Sequence, residues 1–207
     1  MKTPMIRYVR NVSLLAAAFM LLAVPAKSVV LVSLSPVSQT IGVGGTATVN
    51  LNISGLGNLS SLSLGSWLAD ISYNGSIVTI GAGNVTFGTQ LNIGTFGSVS
   101  FASSSSGLIH ADETSFATAA ELNGAQPGSF TLATFTFTGV GPGTTQLGFT
   151  RMELGDENGN DILGFGKNGA SITVTGPAGS APDGAATLPL VLGVGLMVFI
   201  ARRRQVS

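Results

Sequence analysis

The 207-residue sequence contains no cysteine. Disulfide staples, thiol nucleophiles and thiolate metal sites are excluded, so an exported domain would have to rest on its core alone. A single histidine, His110, rules out metal centres built on histidine clusters. No Gly-x-Ser-x-Gly elbow and no Gly-x-Gly-x-x-Gly loop occurs, and Gly166-Lys167 is preceded by Asp161 where a phosphate-binding loop needs its first glycine. Charged residues make up only 9% of the chain, nine basic and nine acidic. Between residues 29 and 180 the bases are Arg151 and Lys167. The acids are Asp70, Asp112, Glu113, Glu121, Glu153, Asp156, Glu157 and Asp161, and two minus eight leaves −6. That balance argues against nucleic acid and against docking on an anionic lipid surface.

The bases are instead concentrated at the two ends. Lys2, Arg7 and Arg10 precede an apolar run from Val12 to Val24, and Ala26 and Ser28 offer small residues for cleavage. This pattern is a secretory signal peptide, assigned to residues 1–28 and excluded from the fold. At the other end, Ala181-Pro182-Asp183-Gly184 leads into an apolar run from Ala185 to Ala201, followed by Arg202, Arg203 and Arg204. Arginines beside an apolar segment stay cytoplasmic, which places the preceding chain outside. The 17 residues of the run reach about 25 Å as a helix, short for a permanent span, and Pro189 weakens that helix further.

Through Pro182, Asp183, Gly184 and the terminal Arg202, Arg203 and Arg204, the tail resembles the PEP-CTERM family of bacterial sorting signals, in its Val-Pro-Asp-Gly form with Ala181 in place of valine. The resemblance implies an exosortase as processing partner, transient insertion in the inner membrane with the C-terminus cytoplasmic, and transfer to the envelope, the outer surface or an extracellular matrix. A plain membrane anchor is the alternative.

The middle of the chain reads as β-structure. Ala47, Val49, Leu51 and Ile53 alternate with Thr46, Thr48, Asn50 and Asn52, the period of a half-buried strand. Further strands are expected at 29–34, 62–73, 77–80, 84–87, 98–102, 130–138, 144–149 and 171–175, separated by glycine-rich turns. Hydrophobic parity breaks between Leu132 and Ala133, which calls for a β-bulge or burial of both faces. A short helical connector is expected over Thr114 to Leu122, and 176–184 reads as a linker carrying the sorting motif.

The blocks Ser33-Leu34-Ser35-Pro36, Gly44-Gly45-Thr46-Ala47-Thr48-Val49, Leu68 to Asn74, Glu121-Leu122, Gln126-Pro127, Phe130 to Phe137, Gly143-Thr144-Thr145 and Leu154 to Asn160 follow one another in an order similar to the cohesin domain family. Asn74-Gly75 stands where that family has Asp-Pro. The resemblance implies an all-β, jelly-roll-like sandwich of about nine strands over 29–175, related to carbohydrate-binding modules. It also implies a non-catalytic role, with a dockerin-like protein or a polysaccharide as partner. A matrix protein acting by self-association is the alternative function, since glycine-rich sheets of low charge can expose open edges.

Three sets of side chains could carry chemistry. His110 with Asp112 and one of Ser103 to Ser106 could form a catalytic triad, but a surface histidine in a polar loop suits the same residues better. Asp156, Asn158, Asn160 and Asp161 crowd oxygens that could hold calcium. As an EF-type loop the segment fails, with Gly159 fourth rather than sixth and Lys167 twelfth rather than glutamate, and a turn accounts for it equally well. Trp67 and Tyr73, six residues apart, share parity on one strand. They could stack on a sugar ring or pack in the core.

Overall fold

The computed structural model describes residues 29–176. The secretion segment, the sorting motif Pro182-Asp183-Gly184, the apolar run and Arg202 to Arg204 lie outside the described residues. Among the described residues no helix is long and apolar enough to cross a membrane.

Among the described residues twelve strands form two sheets: β1 (Leu31–Ser35), β2 (Ser38–Gly42), β3 (Thr46–Ser54), β4 (Leu64–Ser72), β5 (Val78–Thr79), β6 (Val85–Phe87), β7 (Ser98–Ser105), β8 (Leu108–Ser115), β9 (Ser129–Gly139), β10 (Gly143–Asp156), β11 (Gly166–Asn168) and β12 (Ala170–Thr175). One helix, α1 (Ala119–Ala125), joins β8 to β9. The first sheet runs β11-β1-β3-β9-β5, with β6 also on β9. The second runs β2-β12-β10-β4-β8-β7. Most pairs are antiparallel, with parallel exceptions at β1·β11 and β2·β12.

The alternation anticipated in β3 is present: Ala47, Val49, Leu51 and Ile53 are buried. They meet Trp67, Ala69 and Ile71 from β4 and Phe135 and Phe137 from β9 in one core. The parity break in β9 is a bulge. Ala133 pairs with Leu51 and Thr131 with Asn52, so Leu132 is an extra residue, and both Leu132 and Ala133 are buried.

Several elements differ from expectation. β8 replaces what reads as loop and helix start, because Thr114 and Ser115 pair with β4 and β7. β10 continues from Phe149 to Asp156, and β2 and β11 are additional strands. The helix begins later because Thr118 caps it: its Oγ1 accepts from the Glu121 N–H, and Glu121 Oε2 accepts from the Thr118 N–H. Just past the helix, buried Gln126 acts as a strand partner. Its Oε1 accepts from the Leu64 N–H and its Nε2 donates to the Leu64 carbonyl, both at 2.7 Å.

The domain's two ends lie at opposite ends of the sandwich. Leu31 pairs with Ser54, at the close of β3. Thr175 pairs with Gly42 and accepts from the Val43 N–H, beside the start of β3.

Candidate docking face

The outer face of β10-β4-β8-β7 is a ladder of side chains in rows. Register places Val99, Thr114, Ser66 and Gly155 in one row, and Phe101, Asp112, Leu68 and Glu153 in the next. Ser103, His110, Asp70 and Arg151 form the third. The alternation that buries Ile109, Ala111 and Glu113 turns His110, Asp112 and Thr114 outward. Val99 and Phe101 are 54% and 56% exposed, while Asp70, Asp112, His110 and Leu68 are half-buried. A depression of about 250 Å³ opens on this face between Ser66, Leu68, Asp112, Thr114, Glu153 and Asp161.

His110 sits at the centre. Its Nδ1 lies 2.5 Å from Asp70 Oδ1 and its Nε2 lies 3.0 Å from Asp112 Oδ1. The Phe101 ring packs at 6.1 Å from the imidazole. Beside this trio Arg151 Nε donates to Glu153 Oε1 at 2.7 Å. The arrangement is not a nucleophilic triad. Ser103 is across the strand pair from His110, but both ring nitrogens are taken by carboxylates and none is left to receive a serine proton. Nor do Ser103 to Ser105 form a loop; they close strand β7.

The sugar-platform reading of Trp67 and Tyr73 is overturned. Both rings lie in the core, 2% and 8% exposed, and neither offers a face to a pyranose. The Trp67 indole N–H donates to Glu113 Oε2, and the Tyr73 hydroxyl donates to the Ser105 carbonyl while its ring meets Phe137 edge-on. Glu113 also accepts from Ser98 Oγ at 2.7 Å. Burial pushes its carboxyl pKa up, and the Ser98 and Trp67 hydrogen bonds oppose the rise only in part.

The oxygen-rich segment at 156–161 is a turn organised by its own aspartate. Asp156 Oδ1 accepts from the backbone N–H of Asn158 and of Asn160, each at 2.8 Å, and Asn160 Nδ2 donates to Oδ2. Burial alone would raise the Asp156 pKa, yet these donors and the Gly159 N–H bring it below the ordinary aspartate value. Asn158, Asn160 and Asp161 are exposed around it.

No protein-family model matches the chain, and none of the curated proteins does. Solved structures do resemble it. A chain of the CaDoc0917–CaCohA2 complex is 26% identical and aligns with a TM-score of 0.56 over 70% of this chain and 99% of its own. The cohesin–dockerin complex Coh-OlpA-Doc918 of Clostridium thermocellum contributes a chain at 10% identity and TM-score 0.55, covering 71% and 99%. A non-cellulosomal cohesin of the archaeon Archaeoglobus fulgidus stands at 14% and 0.53, covering 70% and 91%. The described domain therefore has a cohesin-like fold.

Proposed function

We propose that this chain is a non-catalytic protein-docking module, exported and sorted through its tail, whose binding surface is the outer face of β10-β4-β8-β7. The observation that carries this reading is the composition of that face. Solvent-facing Val99, Phe101 and Leu68 are interleaved with hydrogen-bonding and charged groups from Asp70, His110, Asp112, Arg151 and Glu153. Exposed apolar side chains set among polar neighbours are the makeup of a protein interface. Trp67, the side chain best suited to a sugar, is spent in the core. The cohesin-like fold, found elsewhere in cohesin–dockerin complexes, supports a dockerin-like partner. Export is supported by the signal-like N-terminus, and sorting by an exosortase is supported by Pro182, Asp183, Gly184 and the arginine cluster at 202–204.

The test is capture from an envelope extract on immobilised domain (residues 29–180), with calcium and with chelator, beside a panel of insoluble polysaccharides. A protein partner retained only with calcium is expected. Leu68→Arg, flanked by Asp112 and Glu153 that tolerate the new charge, should abolish capture without changing the melt. Thr48→Arg on the opposite sheet should leave capture intact. Retention on a polysaccharide that ignores Leu68→Arg would overturn the reading.

A further inference from the structure

The sheet that carries the docking face ends in an edge whose outward backbone groups are unbonded among the described residues. β7 pairs with β8 over all eight of its residues with no register shift. On its other side no backbone hydrogen bond is made to any described residue. The 3-10 turn at Ala82–Asn84 packs nearby without bonding to it. Folded proteins guard such edges with charge, proline, bulges or brevity. The other outer strands of the sandwich are short: β2 has five residues, β11 three, β6 three and β5 two. β7 has eight, and its sequence Ser-Val-Ser-Phe-Ala-Ser-Ser-Ser contains neither charge nor proline.

The geometry selects the occupant. Ser105 and Leu108 close a two-residue hairpin turn, so odd-numbered residues of β7 exchange hydrogen bonds with β8. Ser98, Ser100, Ala102 and Ser104 therefore turn their N–H and C=O groups outward. This pattern is symmetric about Phe101. A second β7 laid antiparallel places Ser100 against Ala102 and Ser98 against Ser104 as bonded pairs. Val99 then faces Ser103, and the two exposed Phe101 rings meet on the outer face. Charge permits the match. The nearest like charges are the two Asp112 carboxylates, one strand in from each edge, about three strand spacings or ~14 Å apart and beyond the Debye length of roughly 8 Å.

We infer that β7 pairs with β7 of a second copy of this chain about a twofold axis at Phe101, joining two domains into one continuous sheet. The contact is isologous, and it sets two docking faces side by side. It does not depend on what those faces bind.

The absence of cysteine allows a direct test on the full chain. Facing Val99 and Ser103 form a pair whose Cα atoms lie about 4.5 Å apart, within disulfide reach. Each residue lies about 14 Å along the strand from its own copy, out of reach. Under a mild thiol oxidant such as diamide, the Val99→Cys/Ser103→Cys chain should run as a covalent dimer on non-reducing electrophoresis. Either single change should not, and adding Ser100→Pro, which removes an outward N–H, should abolish the dimer. Both cysteine positions are exposed and Phe101 is retained, so folding is preserved and is checked by the far-UV spectrum. No cross-link in the double variant, or a cross-link as strong in either single variant, would overturn the inference.

Discussion

Glu113 holds its place in the core through Ser98 and Trp67 alone, neither of which is charged. Its raised pKa has a defined consequence for stability. The native state holds the proton more tightly than the unfolded chain does. The stabilisation is therefore fully present below the unfolded-state value and is lost as pH rises through the native one. Thermal melts should show the domain gaining stability from neutral toward mildly acidic pH, and Glu113→Gln should flatten that limb. An unchanged slope in the variant would assign the effect to another group. At the same scale, His110 shows how a side chain suited to catalysis becomes structural. With Asp70 on one nitrogen and Asp112 on the other, the ring clamps β4 to β8.

At the scale of elements, the amide of Gln126 pins the segment after α1 to β4, beside a Ser63 Oγ to Asn123 Oδ1 hydrogen bond. Gln126 satisfies both backbone groups of Leu64 and also donates to the Gln90 carbonyl. Gln126→Leu fits the space but leaves those groups without partners. Each buried group so orphaned costs about 1–3 kcal/mol. Denaturant unfolding should show a loss of that order or more, with the fold retained. Elements of this kind also mark what was legible in the sequence. β3 is plain from its alternation, and the β9 bulge from the clash of parity at Leu132-Ala133, because in both the buried residues are apolar. β8 was hidden because its third inward position is Glu113, a charged residue in a core slot. The sequence His110 to Glu113 thus reads as polar loop, and Thr114-Ser115 as the start of a helix. Without β8 the rows of the docking face could not be assembled, although Leu68, Phe101 and Asp112 are all visible as residues. Trp67 was ambiguous for the opposite reason. Parity places a ring on one face of a strand but does not say which face is wet.

At the scale of the whole molecule, the charge of residues 29–180 and the charge of the tail are opposite in sign and separated along the sequence. Residues 29–180 carry all the acids but Asp183, while Arg202, Arg203 and Arg204 lie at the far end. On the proposed sorting these arginines would hold the C-terminus on the cytoplasmic side, and replacing all three with asparagine removes that feature. Envelope fractions should then contain chain that keeps its C-terminal tail, whereas the unaltered chain should appear there shortened after the sorting motif. Processing that persists without the arginines would count against the sorting assignment. The opposite placement of the domain's two ends adds a mechanical consequence. A tether attached beyond Thr175 pulls lengthwise on β12, which is flanked by β2 on one side and β10 on the other. A partner held on the proposed docking face of the same sheet would pull back through β10. Load between them runs along the strands, so the cross-strand bonds of β12 must yield together in shear instead of opening one after another like a zip.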